Sequence, residues 1–509
     1  MPSEPIAPPR VARGQTPSPS QASSPSQASS PSQAPSPSVS RWRGGAVPNS
    51  DAGRWAAAIA LLAGGFLPPV DFFIVNVALP SIHADLGATP AEMQLVISAY
   101  AVGYAVFLIT GGRLGDLFGR RRMFLAGMAA FSLANLVCGV APSPPLLLVG
   151  RVLQGLSASM LIPQVLASLR ALFADERSLA RAMSAYGIMM GMAAAIGQFA
   201  GGALVQWNPF DWGWRAVFLL KLPICAVTLG AAWVLVPETG GRGGTRLDIG
   251  GAALVSLMLA CVVVPLSKGR ELGWPWWIFA PLALTPVLAA VFLCYEDRLA
   301  RHGGLPLVDP GLLALPGFRR GVLVGTLFFF TTAFYFLFGI YHQEGRGVPP
   351  LQTGLAIVPY GVGLFLGPLL SAPMQRLRPK LLALGMAVQV TGYALIGLLV
   401  WAGTAGVPLS AVVFLAGFGQ GVAFPRLFNT VLGDVPAHQA GVAAGILNSA
   451  LQVGAAVSAA AIGSLFFAVL DGRSGERAFA EAFATAQWTV TAALAVAMII
   501  AIPPRRRPA

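Results

Sequence analysis

The chain has 509 residues, of which 55% are hydrophobic and only 10% are Asp, Glu, Lys or Arg, and its mean hydropathy is +0.69. A soluble domain carries roughly 25% charged residues, so this composition excludes a water-facing surface and reads as an integral membrane protein. The formal net charge of +13 does not point to nucleic acid, because the basic residues gather in short segments between apolar runs and at the two ends, where such charge sets membrane orientation.

Residues 1–50 carry an imperfect Ser/Pro/Gln/Ala repeat, SPSQASSPSQASSPSQAPSPS. Such a segment has nothing to bury and is expected to be disordered, as a dispensable tail or a docking arm. It lacks the apolar core of a signal peptide, and Arg10, Arg13, Arg41 and Arg43 favour a cytoplasmic location. From Trp55 onward, apolar runs long enough to cross a bilayer recur. They predict spans near 55–79, 93–111, 123–141, 146–168, 180–205, 215–236, 249–267 and 276–295. Six more are predicted near 319–341, 352–372, 380–401, 409–431, 441–470 and 485–502. An even number, fourteen, places both ends on one side. Of the 33 Lys and Arg, about 25 then fall on the side of the termini and about 8 on the other or within outer helix halves, the positive-inside pattern. Both termini are therefore expected in the cytoplasm.

Weak internal repetition supports two halves. GRRRMFLAGM at 119–128 has a counterpart in LRPKLLALGM at 377–386, and Gln154-Gly155 followed by Pro163 echoes Gln420-Gly421 followed by Pro425. The offsets exceed half of the membrane portion, as two extra helices inserted between six-helix halves would produce. The expected organisation is a tail at 1–50, a six-helix bundle at 51–240, two linker helices at 241–300, a second six-helix bundle at 301–504 and a basic tail at 505–509. Cys138, Cys225, Cys261 and Cys294 each lie in an apolar run without a CxxC, and His83, His302, His342 and His438 are scattered. Neither a disulfide framework nor a metal site is expected.

Few residues are left to carry chemistry. Asp71 lies deep in the first span, where a carboxylate must face a cavity, pair or be protonated. It is read as a proton-coupling group, with a packing hydrogen bond to Asn76 as the bland reading. Arg151 opens the fourth span in RVLQGLSASM, one turn from Gln154; it either tunes a nearby carboxylate or snorkels to headgroups. Gly187, Gly191, Gly197, Gly201 and Gly202 repeat at close-packing spacing in the fifth span. Lys221 at the entrance of the sixth span and Arg426 beside Pro425 are candidates to line a substrate cavity, together with Asn76, Gln154, Gln198 and Gln420. GFGQG at 417–421 has no preceding strand and no following Lys-Ser/Thr, which excludes a nucleotide loop. Between the second and third spans, GGRLGDLFGRRR at 111–122 concentrates charge in what reads as a short arginine-rich turn.

That stretch resembles the signature loop of the major facilitator superfamily. DFFIVNVALP (71–80), RVLQG (151–155), the run ending AGG (200–202), WRAVFLLKLP (214–223) and AGVAAGILNSALQVG (440–454) extend the resemblance to the fourteen-helix drug:proton antiporters, over about residues 55–502. The resemblance implies an all-α fold of two six-helix bundles plus two extra helices, rocking around a central cavity. It implies a switch loop built from Gly112, Arg113, Gly115, Asp116, Gly119, Arg120 and Arg121. It also implies proton handling by Asp71 with Arg151, and no cofactor beyond the proton gradient. Three positions depart from the pattern: Gln198 stands where the signature has Pro, Lys221 where Asn is usual and Leu451 where Arg is usual. The second-half copy of the loop lacks its Asp, leaving Arg376, Arg378 and Lys380. The expected function is proton-coupled export of amphipathic small molecules across a bacterial plasma membrane, by a protein that is not an enzyme. Its partners would be substrate and lipid but no nucleic acid, and a monomer is compatible with the sequence. Uptake or lipid/metabolite transport on the same scaffold is the alternative, ahead of a membrane-embedded transferase or receptor.

Overall fold

The computed structural model describes residues 50–239, 248–304, 306–308, 310–371, 380–433, 435 and 439–501. Fourteen helices among them are long and apolar enough to cross a membrane. We number them α1 (Asp51–Leu86), α2 (Pro90–Phe118), α3 (Arg120–Gly139), α4 (Pro144–Leu172), α5 (Glu176–Trp207), α6 (Gly213–Leu235) and α7 (Ile249–Lys268). The series continues with α8 (Trp276–Arg301), α9 (Pro316–Gly345), α10 (Pro350–Ser371), α11 (Leu381–Trp401), α12 (Val407–Leu432), α13 (Ala440–Leu470) and α14 (Glu476–Ala501). No strand occurs among the described residues. Successive helices run in opposite directions. Gly119 therefore marks one end of the molecule, called the near end, and Asp85 marks the far end.

Local chemistry starts these helices where the chain turns. Ser50, Asp175 and Asp248 cap α1, α5 and α7 by accepting backbone N–H bonds, and Thr89 with Glu92 forms a reciprocal capping box on α2. Three boundaries differ from the sequence expectation. The stretch 111–122 is not a loop: α2 runs through it to Phe118, α3 starts at Arg120, and Gly119 alone turns the chain at φ 100°. Hydropathy placed the last span at 485–502, but α14 begins at Glu476 because Glu481 pairs with Arg473 and Arg477 at 3.1 and 2.9 Å on its first turns. Likewise α8 continues to Arg301 and a short helix, Pro310–Ala314, follows, so the expected loop at 296–318 is largely helical. The tails at 1–49 and 502–509 and the loop carrying Arg376 and Arg378 lie outside the described residues.

Helices α1–α6 pack together, as do α9–α14, and the two groups meet along two seams, α5 against α10 and α2 against α13. On the first seam, a Cβ added at Gly202 would lie 2.4 Å from the Pro350 carbonyl oxygen, and one at Gly354 would lie 2.5 Å from that of Gln198. Leu351 N also donates to Gln206 Oε1 at 3.1 Å. Toward the near end the seam loosens: a Cβ added at Gly191 would lie 3.5 Å from Phe365, and one at Gly187 would meet nothing within 4 Å. The expectation that all five glycines of α5 serve close packing is therefore corrected at Gly187, which faces open space. Gly197 and Gly201 face the α1 backbone instead: a Cβ added there would lie 2.9 Å from Val70 O and 2.6 Å from Ile74 O, respectively.

The linker pair is attached asymmetrically. Helix α7 packs on both α2 and α13 through Ala252, Val255 and Leu259 against Ala105, Val106 and Val453, whereas α8 packs chiefly on α7. At the far end, Glu271 accepts from Ala91 N at 2.9 Å, Arg270 pairs with Asp471 at 3.4 Å, and Ser464 Oγ donates to the Leu266 carbonyl.

Candidate functional site: a buried ion cluster

Pro68 and Pro69 interrupt the hydrogen bonding of α1 just before Asp71, because a helical proline has no N–H for the carbonyl one turn back. Tyr100 of α2 anchors this stretch, donating from its hydroxyl to Pro68 O at 3.1 Å. Asp71 follows, fully buried, and donors from two other helices converge on its carboxylate. Arg151 Nη1 of α4 donates to Oδ2 at 2.6 Å. Gln154 Nε2, one turn further, donates to Oδ1 at 3.0 Å. Lys221 Nζ of α6 pairs with the same Oδ1.

A second set of contacts fixes these groups. Arg151 Nε donates to Val96 O at 2.9 Å, its Nη1 also reaches Gln154 Oε1 at 2.7 Å, and its guanidinium lies over the Tyr100 ring at 4.7 Å. Gln154 Nε2 donates to Asn135 Oδ1 of α3 at 2.9 Å, and the Cys138 thiol approaches Gln154 Oε1 at 3.5 Å. Asp71, Arg151, Gln154 and Asn135 have no solvent exposure, and Lys221 keeps 5%. One carboxylate thus sits between two cations inside a low-dielectric bundle, where losing one member of such a pair costs about 3–5 kcal/mol.

Asp71 hydrogen-bonds across helices to Gln154, and Asn76 is not its packing partner. Asn76 turns its Nδ2 to Phe72 O and Phe73 O of its own helix, at 2.8 and 3.2 Å, and does not touch Asp71. The snorkelling reading of Arg151 fails, because its side chain points inward, as does that of Lys221. Gln154 and Lys221, expected to line an open cavity, are packed into the interior of the first six helices. Gln420 is likewise interior, accepting from Tyr360, whose hydroxyl also lies 2.9 Å from that of Tyr393. Arg426 is half-buried on α12. Asn135 escaped the sequence reading: an Asn three residues from a Cys in an apolar helix carries no motif.

The charged segment around Gly119 forms a second assembly at the near end. Asp116 pairs with Arg120 at 3.3 Å along the turn. Glu238, just after α6, accepts from the backbone N–H groups of Arg121 and Arg122 at 3.1 and 3.3 Å, and Arg120 N donates to Thr239 O at 3.0 Å. A carboxylate therefore supplies the N-terminal cap that Gly119 cannot. Sequence reasoning did not single out Glu238; an acid just after the sixth span was the available signal. Gly115 leaves room for Gln164, which donates to Gly111 O at 2.8 Å, and a Cβ added at Gly112 would lie 3.6 Å from Pro163. Arg121 lies over Trp233, and Arg113 donates to Pro306 O at 2.5 Å, with Asp248 and Glu296 of the linker nearby. Burial weakens the hold of Arg113 on its proton, and those two carboxylates act against that effect.

With this geometry described, comparison with known proteins decides the family. The sequence profile of the Major Facilitator Superfamily matches residues 61–459. The chain belongs to that superfamily. It is 33% identical over 435 residues to a probable actinorhodin transporter of Streptomyces coelicolor, covering 84% of this chain and 75% of the relative. It is 31% identical over 421 residues to the tetracenomycin C resistance and export protein of Streptomyces glaucescens, covering 81% and 76%. In fold it is similar to an inward-facing bacterial homolog of the human lysosomal transporter Spinster. There the TM-score is 0.62 and the identity 16%, over 89% of this chain and 97% of that one. A D-xylose-proton symporter gives a TM-score of 0.61 at 14% identity, over 87% and 96%. Fourteen membrane helices and relatives named for resistance and export agree with the fourteen-helix drug:proton antiporter branch of the superfamily, and the protein is a transporter rather than an enzyme.

Within this superfamily member, the departures from the pattern have definite surroundings. At Gln198 the helix continues without a proline break, and both side-chain polar atoms are buried without a hydrogen-bond partner among the described residues. Leu451 is buried against the position of Gly325, in an apolar contact that an arginine would not make. Lys221 is the departure that reaches the ion cluster. Arg151→Lys tests how the cluster is held, because an ammonium cannot reproduce the contacts to Val96 O, Gln154 and Asp71 together with stacking on Tyr100. We expect this variant to lose about 1–3 kcal/mol of stability through unsatisfied acceptors and to lose transport. Thermal unfolding in detergent beside vesicle transport checks both; unchanged values would show that charge alone suffices.

Proposed function

We propose that this transporter exports amphipathic small molecules in exchange for protons across a bacterial plasma membrane, with both termini in the cytoplasm. The observation that carries the reading is the carboxylate of Asp71, buried in a membrane helix and held by Arg151 and Lys221. An ion cluster in hydrocarbon is costly and marks a coupling or transport path. The names of the Streptomyces relatives support export of small organic molecules. On this reading residues 51–240 and 301–504 are the two rocking halves, 241–300 is the linker pair, and the near end is cytoplasmic. The α5–α10 seam, tight at the far end and loose at the near end, then corresponds to an inward-open state.

In the same scheme Gly112, Arg113, Gly115, Asp116, Gly119, Arg120 and Arg121 act as the conformational switch. Asp116, paired here along its own turn with Arg120, is available to a different partner in another state. The test uses purified full-length protein in vesicles with an imposed pH gradient. Tetraphenylphosphonium and an amphipathic aromatic carboxylate serve as probes of the two charge classes. Probe movement driven by the gradient, with counterflow of protons, is expected. Movement indifferent to the gradient would sink proton coupling, and co-movement of probe and proton would reverse the direction assigned.

A further inference from the structure

We propose that the proton exchanged during the cycle is carried by the ammonium of Lys221, while Asp71 stays ionised; this rests on the proton-coupled reading above. Three charges decide it. Arg151 keeps its proton throughout. With Lys221 as ammonium and Asp71 as carboxylate, the buried cluster carries one net positive charge. Loss of the Lys221 proton leaves a neutral Arg151–Asp71 pair whose carboxylate still accepts from Arg151 at 2.6 Å and Gln154 at 3.0 Å. Protonating Asp71 instead leaves two cations facing each other and removes the negative charge that both of them pair with. Uncompensated charge inside a bundle is what desolvation penalises most, so the cluster swings between zero and one positive charge by exchange at Lys221.

Among the described residues no second carboxylate faces the cluster. The groups facing the cluster are Tyr100 of α2, Asn135 and Cys138 of α3, Gln154 of α4, and Phe218 and Cys225 of α6. None of them supplies a negative charge that would hold a second cation. Access points the same way. Asp71 and Arg151 have no exposure, whereas Lys221 retains 5% and sits near the far end of α6, at the end of a flexible four-carbon stem. In the exchange step the N–H bond of the ammonium breaks, the electron pair stays on Nζ, and the proton passes to water.

This assignment inverts the usual order of conservative substitution. Lys221→Arg keeps the charge but cannot release a proton, so the cluster is locked at one positive charge and gradient-driven transport falls to the level of empty vesicles. Lys221→Asn leaves a bare Arg151–Asp71 pair, which can itself swing between zero and one charge by protonating Asp71, so gradient-driven transport persists. A lysine that served only as an ion-pair partner would give the opposite order.

The sequence holds just three lysines, Lys221, Lys268 and Lys380, so side-chain nitrogen-15 NMR of lysine-labelled wild-type protein has three signals to follow. Comparison with Lys221→Arg assigns the first. We expect the Lys221 nitrogen to pass from ammonium to amine within the pH window of the imposed gradient. Tetraphenylphosphonium accumulation under a pH gradient is measured alongside for wild type and both variants. Gradient-driven accumulation in Lys221→Arg, or a Lys221 nitrogen that stays ammonium across that range, overturns the proposal. Should Lys221→Arg fail to fold, the wild-type titration decides alone, with the signal assigned from Lys221→Asn. A wild type that transports without regard to the gradient overturns the coupling reading instead, and the nitrogen titration still reports where the labile proton sits.

Discussion

Asp71→Asn should abolish gradient-driven transport and should also destabilise the protein. The asparagine keeps the shape of the side chain but removes the negative charge that Arg151 and Lys221 share. Arg151 is left buried and uncompensated, and removing one partner of a buried pair costs about 3–5 kcal/mol. Lys221 relieves part of that cost by giving up its proton, which Arg151 cannot do. Adding Lys221→Asn to Asp71→Asn should therefore change stability little, and neither variant should transport. Thermal unfolding in detergent and vesicle transport measure both. If Asp71→Asn were as stable as wild type and still transported, the cluster would be a packing feature and not the coupling site.

The second large effect is expected at the far end of the α5–α10 seam. A Cβ at Gly202 meets the Pro350 carbonyl oxygen at 2.4 Å, and backbone cannot rotate away as a side chain can. Overpacking of this kind costs about 1–3 kcal/mol. Because the strain falls between the two groups of helices, it acts on the equilibrium between open and closed far ends, shifting it about 5- to 150-fold. Gly202→Val should therefore hold the far end open and stall export. A cysteine at Gln198, buried on the same seam, reports it in a Cys294→Ser background: a membrane-impermeant thiol reagent added from the far side should label it faster in Gly202→Val. Gly187→Val, whose added atoms meet open space, should leave labelling unchanged. Equal rates in all three proteins would show that this seam does not open.

The fourteen helices were legible in the sequence because their signal is one-dimensional: runs of apolar residues of bilayer length, punctuated by charge. The same signal misplaced the ends of α2, α8 and α14, where charged residues continue the helix past the apolar run, as Arg113 and Asp116 do in α2. Asp71 and Arg151 were legible as unusual residues, since a charge in hydrocarbon needs a reason. Their partners were not. Lys221 lies 150 residues from Asp71 in the chain, and nothing in WRAVFLLKLP tells whether its stem turns inward or outward. Asn135 and Glu238 look ordinary in sequence and acquire roles only when α3 meets α4 and the end of α6 meets the start of α3. Gly187 shows the converse. Its spacing matches that of Gly191 and Gly202, yet close packing needs a neighbour, and at that height α10 has moved away.

The attachment of α7 has a consequence for how a lipophilic compound reaches the interior from the bilayer itself. Two bundles that rock against each other leave two lateral slots toward lipid, one along each seam. Here α7 lies over the α2–α13 slot, touching both helices through Val255, Val106 and Val453, and α8 adds a further layer on its lipid side. Among the described residues the slot between α5 and α10 has no such cover, and it widens at the end where Gly187 faces open space. With the two halves rocking as proposed, sideways entry from the membrane should be confined to the α5–α10 flank, because the linker pair covers the other.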